Sequence, residues 1–582
     1  MDRQPLYFTI LILSILILSS FYLSWAVDRG LGEISVERIS IESSPGRSVE
    51  LLVYSPRTAN YYEPMPVMLT IHGLTGFKEG MYAFNVELAR RNFTVVSIDL
   101  PGHGDSLEEF NITDFYTMAQ DAYAAVRYVQ TTFTNVDNES YGVLTHSLGF
   151  RVAIELKDFA IAPKAYAAVG DVGKINQDEF VEFPHNLLFA VGSFDEIVSQ
   201  EDALNAIRAA TGNSSAIAGV TYGSLDNHSA YRLAFGSSNH AFEIVDSTLV
   251  NETVSWLIKG VQGEAQIVYT RAPSEQVYSI KNIASISGSF ILLVSVIPVM
   301  WLVYSFIPEK MKPRRVSHET QLYSMRRTFV VSSIIGAGMV VVYVVSTLLG
   351  LSLEDFGLSW VNSMSGTGIV LFLVFAVVGI ILMMYLLMGS NNAKAALSSM
   401  GIEVSIGIKE QLKEILKGLI IAGFGISWVL FWLTIADMAG PGILLLLLKT
   451  PVVVRSINTA ILTIFAIPFF IVEASWIRWL LKNGNDETRI IDRIKQFAFT
   501  FVSKFALVGV LTILIIIGTT SVGVSLGRIV LLGVIWVRII IVELLATVIL
   551  IWASLKVENM WAAVIVSSFI LSLVLVNTMP II

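Results

Sequence analysis

Hydrophobic and polar positions follow three different patterns along this 582-residue chain. Residues 7–27 form an uncharged apolar run, which at about 20 residues is long enough to cross a bilayer. From 28 to 280 short apolar runs alternate with amphipathic stretches, and after that long apolar stretches recur with short polar breaks. We therefore predict an N-terminal transmembrane anchor over 1–27, a globular domain over 28–280 and a membrane domain over 281–582.

A cleaved signal peptide is the alternative interpretation of the first apolar run. The run is longer than the apolar region of a typical signal peptide, and it shows no clear small-x-small cleavage site. Both features favour an uncleaved anchor.

In the globular domain, the short apolar runs have the length of strands and the amphipathic stretches have the length of helices. Strands that alternate with helices after an opening pair of strands predict an α/β fold, with a mostly parallel eight-stranded sheet covered on both faces. The predicted strands are 33–42, 48–54, 66–71, 93–98, 140–145, 164–169, 186–192 and 230–236. The predicted helices lie at about 79–91, 113–131, 148–158, 199–210 and 241–259.

The long apolar stretches predict an all-α bundle of about eight transmembrane helices, in addition to the N-terminal one. The predicted spans are 283–307, 328–350, 365–389, 416–439, 457–480, 499–522, 529–553 and 559–580. The run at 441–454 is too short, and too closely bounded by Pro and Gly, to count as a span. We interpret it as re-entrant or interfacial.

Composition separates the globular domain from the rest of the chain. The chain is 54% hydrophobic and 15% charged, whereas soluble proteins average about 25% charged residues. Residues 28–280 contain 16 Lys and Arg against 32 Asp and Glu, a balance of −16; the remainder has 23 against 15, a balance of +8. The acidic domain would repel phosphates, which argues against nucleic-acid binding. The absence of cysteine excludes disulfides, thiolate metal sites and cysteine nucleophiles.

Basic residues predict the orientation of the membrane domain. The segment 308–327 carries six Lys and Arg, so it should be cytoplasmic, and the globular domain, one helix earlier, should lie outside the cytoplasm. Six N-x-Ser/Thr sequons agree, because all of them occur in the globular domain and they have meaning only on a translocated domain. The sequons begin at Asn92, Asn111, Asn138, Asn213, Asn227 and Asn251.

The strongest local motif is THSLG at 145–149, between an apolar strand and an amphipathic helix. A serine at a sharp turn between strand and helix is the context of the nucleophile elbow G-x-S-x-G, in which small residues let the two elements approach. Gly149 meets this requirement, whereas Thr145 replaces the first glycine.

Two further motifs follow predicted strands: His72-Gly73 after PVMLTI, and DLPGHGDS at 99–106 after FTVVSI. With the elbow, they resemble the α/β-hydrolase superfamily, whose members commonly carry HG after the third strand and D-x-P-G-H-G-x-S after the fourth. The resemblance covers nearly all of 33–259 and implies the α/β-hydrolase fold with Ser147 as nucleophile. It also implies an oxyanion hole formed by the backbone N–H groups of Leu148 and Leu74.

The acid and base of this family follow the serine in the order Asp, His. Asp195 stands after the strand NLLFAVG, in a turn that resembles the family's G-x-x-D-x-x-V, and is the implied acid. Asp171, one strand earlier, is the alternative. His240, after the strand AYRLAFG, fits the terminal histidine. We interpret three other histidines as structural: His103, His146 and His228.

These residues predict a serine hydrolase. His240 would take the proton of Ser147 during attack on a carbonyl carbon, Asp195 would orient the imidazole, and water would hydrolyse the acyl-enzyme. Only 48 residues separate the serine from the acid, which leaves no room for a large cap and suits esters, peptides or lipids presented at a surface. We expect carboxylesterase-, lipase- or lysophospholipase-like activity first and peptidase activity second, with no cofactor or metal and with the bilayer as a partner.

Charged residues also occur within the predicted spans, where they are expensive and often functional. Arg538 and Glu543 are five apart and do not share a helix face, so each should pair with a residue on another helix. Structural pairing is favoured over a transport role. A second hypothesis nevertheless makes the membrane domain a transporter or scaffold, with the globular domain as a binding module. The charged residues are Glu473, Lys504, Arg538 and Glu543, with Asp437 near a helix end.

Overall fold

The structure is a computed structural model of the chain. It contains a globular α/β domain and a set of long apolar helices. The residues it describes are 3–57, 64–176, 179–263, 271–308, 325–348, 363–387, 407–439, 453–482, 490–521, 527–557 and 559–578. The predicted re-entrant run at 441–454 and the basic segment 308–327 lie almost entirely outside these ranges.

The centre of the globular domain is a β-sheet of nine strands, accompanied by a separate pair, β7 and β8. In chain order the strands are β1 (Ile34–Ser44), β2 (Arg47–Pro56), β3 (Met65–Ile71), β4 (Thr94–Ile98), β5 (Val136–His146), β6 (Tyr166–Val169), β7 (Lys174–Asn176), β8 (Glu179–Phe180), β9 (Leu187–Gly192), β10 (Thr221–Tyr222) and β11 (Tyr231–Gly236). All eight predicted strands are present. The predicted number was one too low, because β10 has two residues and leaves no pattern in the sequence.

The strand order across the sheet is β1-β2-β4-β3-β5-β6-β9-β11-β10. The six strands from β4 to β11 in this order pair in parallel. The edge strands β1, β2 and β10 pair antiparallel with their neighbours. The prediction of a mostly parallel sheet is confirmed.

Helices cover both faces of the sheet, because successive strand residues point to opposite faces. In β9, Leu187, Phe189 and Val191 face one apolar cluster, while Leu188 and Ala190 face the other. The first cluster includes residues of α3 (Phe115–Thr132), α4 (Gly149–Glu155) and α5 (Gln200–Thr211), and the second includes residues of α2 (Tyr82–Ala89) and α6 (Ser247–Gln262).

Each predicted membrane span overlaps a helix. Five helices in the described ranges are long and apolar enough to cross a membrane, by length and composition, which indicates a membrane protein; shorter apolar helices accompany them. The helices outside the globular domain are α1 (Gln4–Asp28), α7 (Tyr278–Phe306), α8 (Met325–Leu348), α9 (Ser363–Leu387), α10 (Gly407–Ala439), α11 (Val453–Lys482), α12 (Ile490–Ser521), α13 (Gly527–Lys556) and α14 (Met560–Thr578).

The helices α1 and α7, which precede and follow the globular domain, pack against each other in antiparallel fashion. At the far end Arg3 Nη2 donates to the Ser305 carbonyl over 2.8 Å. At the end beside the globular domain Lys281 Nζ pairs with Asp28, and both side chains are fully buried. The end of α1 and the start of α7, which connect the bundle to the globular domain, therefore lie side by side.

The globular domain also contacts the ends of later helices. Arg455, at the start of α11, donates to the carbonyls of Gly102 and Gly104 over 2.7 and 3.0 Å, and to the Val576 carbonyl over 2.7 Å. Arg38 on β1 pairs with Asp437, near the end of α10, over 2.9 Å. The predicted charge near a helix end thus has a partner on the globular domain.

Inside the bundle, Lys504 lies between two carboxylates. It pairs with Glu473 and with Glu543, the latter over 3.0 Å, and donates to Thr547 Oγ1 over 2.9 Å. These groups come from α11, α12 and α13, so the charges tie three helices together. The side chain of Arg538 lies outside the described part of the chain.

The substitution Lys281→Met tests the buried pair beside the globular domain. It leaves the Asp28 carboxylate buried without its partner, which costs about 3–5 kcal/mol. We expect a clearly lower unfolding temperature, measured by tryptophan fluorescence of the detergent-solubilised protein. The double variant Asp28→Asn/Lys281→Met removes both charges, so its unfolding temperature should fall by less than that of the single variant. Equal unfolding temperatures for the single variant and the wild type would contradict the assignment.

Candidate active site

Ser147 lies at the turn between β5 and α4, with a φ of +50°, in the left-handed region that non-glycine residues rarely adopt. Its N–H donates to the Val169 carbonyl over 2.8 Å, which fixes the turn to β6. A Cβ on Gly149 would lie 2.7 Å from the Ile71 carbonyl oxygen, and one on Gly73 would lie 2.8 Å from the Cβ of Ser147. The turn therefore requires glycine at position 149, two residues after the serine, and at position 73, in the loop after β3.

Thr145, which replaces the first glycine of the elbow motif, fits for a local reason. It belongs to β5, where it is 1% exposed, and its hydroxyl donates to the Ala167 carbonyl of β6 over 3.3 Å. The departure from the family pattern is therefore accommodated by a hydrogen bond to the next strand.

Ser147, Asp195 and His240 lie together in the structure, although Ser147 and His240 are 93 positions apart in the chain. Ser147 Oγ is 2.9 Å from His240 Nε2, and His240 Nδ1 is 2.9 Å from Asp195 Oδ2. Since a carboxylate only accepts, the proton of the imidazole lies on Nδ1, which leaves Nε2 free to accept from the serine hydroxyl. This is the arrangement that lets an imidazole act as a base toward a hydroxyl.

Backbone N–H groups hold the Asp195 carboxylate in place. Its second oxygen accepts from the N–H groups of Ile197 and Val198 over 2.6 and 2.9 Å. The alternative acid, Asp171, instead accepts from the Gly173 N–H over 2.7 Å and lies 3.5 Å from Arg151 Nε. Of the two candidate acids, Asp195 is the one that hydrogen-bonds His240.

The charges of this pair shift both pKa values toward the ionised forms. Burial lowers the pKa of His240, but the charge of Asp195 and the hydrogen bond to it outweigh burial and raise that pKa above 6.5. Burial raises the pKa of Asp195, but the His240 imidazole and the backbone donors outweigh it, so the pKa lies below its usual value. The imidazolium that forms during proton transfer is therefore stabilised.

A second carboxyl group, Glu243, is buried directly beneath this pair. Its Oε1 accepts from the Gly192 N–H over 2.5 Å, and its Oε2 is 3.6 Å from His240 Nδ1. Gly170 makes room for it, because a Cβ there would lie 2.1 Å from Oε2. Burial, followed by the neighbouring Asp195 charge, raises the pKa of Glu243 well above its usual value, which favours the protonated form.

His146 supports the loop that carries the base. Its Nε2–H donates to the His240 carbonyl over 3.1 Å, and burial lowers its pKa to about 3, so the ring is neutral. His146, His240 and Glu243 offer atoms within 4.8 Å of one another, a grouping that could in principle hold a metal ion. His146 Nε2 and His240 Nδ1 are engaged in the hydrogen bonds described above, whereas Glu243 Oε2 has no hydrogen-bond partner among the described residues.

The two backbone N–H groups expected to form the oxyanion hole lie on loops that meet at the serine. Leu148 directly follows Ser147, and Leu74 follows Gly73, whose Cα is packed against the serine. Among the described residues neither N–H is matched with an acceptor. Both are therefore available to a developing oxyanion, which needs such preorganised donors.

The HG motif and the DLPGHGDS motif are hydrogen-bonded to each other. The Leu100 N–H donates to His72 Nε2 over 3.1 Å, so the ring proton lies on Nδ1, which donates to the Gly73 carbonyl over 2.8 Å. Asp99 accepts from the Lys78 ammonium over 2.5 Å, and a Cβ on Gly104 would collide with its carboxylate at 2.2 Å. Hydrogen bonds between the two motifs thus fix the loop that carries Leu74, and Gly73 of the first motif lies against Ser147.

Sequence reasoning missed two residues of this region. Glu243 is one helical turn after His240, a spacing that could have drawn attention to it. Arg455 contacts the DLPGHGDS loop from a helix more than 350 positions later, and no local pattern marks it. The three histidines interpreted as structural include His228, which lies 3.2 Å from the Asn186 amide and away from the serine.

Comparison with known proteins gives a family match over part of the globular domain. Residues 62–169 match the family model described as serine aminopeptidase, S33. No curated protein matches the chain. Similar solved structures include an epoxide hydrolase from Vigna radiata (18% identity, TM-score 0.19, covering 24% of this chain and 41% of that one). They also include a lidless α/β serine hydrolase from Xanthomonas campestris (16%, 0.30, 39% and 94%) and an esterase from Pyrococcus furiosus (13%, 0.30, 40% and 94%).

The chain spans about two fifths of the length of the epoxide hydrolases that it matches, 41% and 39%. The strand order and the family match together identify the α/β-hydrolase fold. The match covers the strands from β3 to β6 and the loops that follow β3, β4 and β5.

The charges around His240 predict the pH dependence of serine reactivity. The imidazole must be neutral to accept the proton, so acylation by a soluble ester such as p-nitrophenyl acetate should rise with pH through a midpoint above 6.5. The variant Glu243→Gln should leave that midpoint unchanged, because the raised pKa of Glu243 favours its neutral form, which an amide replaces without a change of charge. If Glu243 were ionised, its removal would move the midpoint to lower pH. The measurement is kcat/KM from about pH 5 to about pH 9.

Proposed function

We propose that this protein, whose globular part is an α/β-hydrolase domain, is a membrane-anchored serine hydrolase that cleaves ester or amide bonds through an acyl-enzyme. The observation that carries the proposal is the continuous hydrogen-bond relay from Ser147 Oγ through His240 to Asp195, with 2.9 Å at each step. A hydroxyl is a poor nucleophile at neutral pH, and such a relay activates it.

In the proposed reaction, Ser147 Oγ attacks the carbonyl carbon while its proton passes to His240 Nε2. The N–H groups of Leu148 and Leu74 stabilise the oxyanion, and Asp195 stabilises the imidazolium. His240 then gives the proton to the leaving alcohol or amine as its bond to carbon breaks. Water attacks the acyl-enzyme by the same route, which releases the acid and restores the serine.

The short segment between nucleophile and acid supports small or surface-presented substrates. The 48 positions from Ser147 to Asp195 are occupied by α4, β6, the β7–β8 pair and β9, which leaves no space for a helical cap. Carboxylesterase- or lipase-like activity is our first candidate. The name of the matching family model, serine aminopeptidase, makes amide bonds the second.

A fluorophosphonate probe tests the triad. We expect labelling of the wild type and none of Ser147→Ala. Asp195→Asn should slow labelling by a factor on the order of 10⁴, since it removes the carboxylate that holds the imidazole. The matched variant Asp171→Asn should retain near wild-type labelling, because that carboxylate lies against Arg151.

Equal effects of the two Asp variants would overturn the assignment of the acid. Without labelling of the wild type, the enzyme proposal fails, and the globular domain is better described as a binding module of a transporter or scaffold.

We further propose that the globular domain lies outside the cytoplasm. The basic segment 308–327 follows α7, which runs away from the domain, so that segment belongs to the opposite side of the membrane. The sequon residues support the same placement, since five are exposed and Asn251 is partly exposed, as glycosylation requires.

The cysteine-free sequence allows a direct test of this orientation, because each single-cysteine variant has one thiol. A membrane-impermeant maleimide should label Glu201→Cys, at an exposed position of α5, on intact cells. It should label Ser317→Cys, in the basic segment, only after the cells are permeabilised. The reverse pattern would place the domain in the cytoplasm.

A further inference from the structure

The proposed catalytic residues share one edge of the sheet. In parallel strands the carboxyl ends lie together, and Ser147, Asp195 and His240 follow β5, β9 and β11. The HG and DLPGHGDS loops follow β3 and β4 at the same edge. The surroundings of this edge are therefore also the surroundings of the proposed active site.

Three contacts show that this edge faces the helical bundle. Arg455, 2% exposed, binds the carbonyls of Gly102 and Gly104 in the loop after β4. The Lys281 ammonium lies 4.4 Å from the ring of Tyr82, which follows the loop after β3. The Tyr278 hydroxyl donates over 2.9 Å to the carbonyl of residue 245, in the segment after β11.

The helices that make these contacts begin a membrane span where they meet the domain. The apolar spans Tyr278–Phe306 and Arg455–Arg478 each start at the contact, and Gln4–Asp28 ends beside it. Polar contacts at the first residue of a span place the edge of the sheet at the level where the bilayer begins. The nucleophile thus lies at the end of the bundle where these apolar spans begin.

Large apolar side chains are exposed beside the triad on the same edge. Phe194, next to Asp195, is 69% exposed; Ile197 is 46% exposed, and Phe242, two residues after His240, is 55% exposed. We call these three residues the apolar rim. Their exposure shows that the described part of the bundle does not cover them. Exposed apolar side chains at such a position are typical of surfaces that enter the interfacial region of a bilayer.

We propose that the substrate is an acyl ester of a membrane lipid, taken from the leaflet beneath the globular domain, with the apolar rim inserted among the lipid chains. This inference rests on the proposed hydrolase function and adds the substrate class. Ser147 Oγ forms an ester with the acyl group as the lipid's own ester bond breaks. The proton from the serine passes through His240 to the leaving lipid alcohol. Water then releases the fatty acid and returns a proton to the serine.

The test compares two substrates of the full-length protein reconstituted in phosphatidylcholine vesicles. One is a fluorogenic long-chain ester embedded in the vesicles, and the other is a short-chain soluble ester of the same fluorophore. For the double variant Phe194→Ser/Phe242→Ser we expect the ratio of embedded to soluble rates to fall by about tenfold, since two aromatic anchors are lost. Ile217→Ser is the control: Ile217 is 56% exposed, in the loop after α5 at the opposite edge, and both rates should stay unchanged.

An unchanged ratio in the double variant would overturn the inference. So would a wild type that cleaves the soluble ester, or a lipid-anchored peptide, but not the embedded ester; the hydrolase function would then stand with another substrate. If the wild type cleaves none of these substrates and Ser147 takes no fluorophosphonate, the proposed function itself fails. The two failures are therefore distinguishable.

Discussion

Parallel pairing of six strands is the constraint on which the rest of this structure depends. Because β3, β4, β5, β6, β9 and β11 run in one direction, the loops that leave them gather at one edge, although they are distant in the chain. The turn at Ser147 and the residues proposed as oxyanion hole, acid and base all occupy this edge. The hydrogen bonds between Ser147, His240 and Asp195 follow from that gathering, since no local element could bring residues 93 positions apart into contact.

Burial of charge sets the chemistry of this edge. In a low dielectric an ionised group needs a partner, and most of the buried charges of the domain have one: Asp99 pairs with Lys78, and Glu87 pairs with Arg90 and Arg91. Burial and the Asp195 charge raise the pKa of Glu243, which favours its neutral form, while Asp195 is the carboxylate that hydrogen-bonds His240 and raises its pKa most. The site thus contains two carboxyl groups whose pKa values are shifted in opposite directions.

The helical bundle is more than an attachment for the domain. The Asp28–Lys281 pair joins the two helices that enter and leave the domain, and Arg455 reaches from α11 into the loop that is hydrogen-bonded to His72. A guanidinium that donates to three carbonyls from two elements fixes their relative position with little freedom. The bundle therefore fixes the orientation of this edge of the sheet relative to the apolar helices.

The sequence by itself determined the strands and the order of the motifs, because these depend on periodicity and on residues close to strand ends. The resemblance of those motifs to the α/β-hydrolase superfamily then supplied the triad candidates. Eight strands were predicted from apolar runs; the ninth, β10, was not, because two residues carry no period. The choice between Asp195 and Asp171 as partner of His240 needed the tertiary structure, since both follow parallel strands and only distances separate them.

The roles of Glu243 and Arg455 were decided by the fold, because each acts through contacts that join distant segments or depend on burial. The spacing of Glu243 after His240 does not show that its carboxyl group is buried, and no local pattern marks Arg455. The same holds for the direction of the active edge. Hydropathy predicts the apolar helices, but it does not predict which loops of the globular domain contact the ends of those helices.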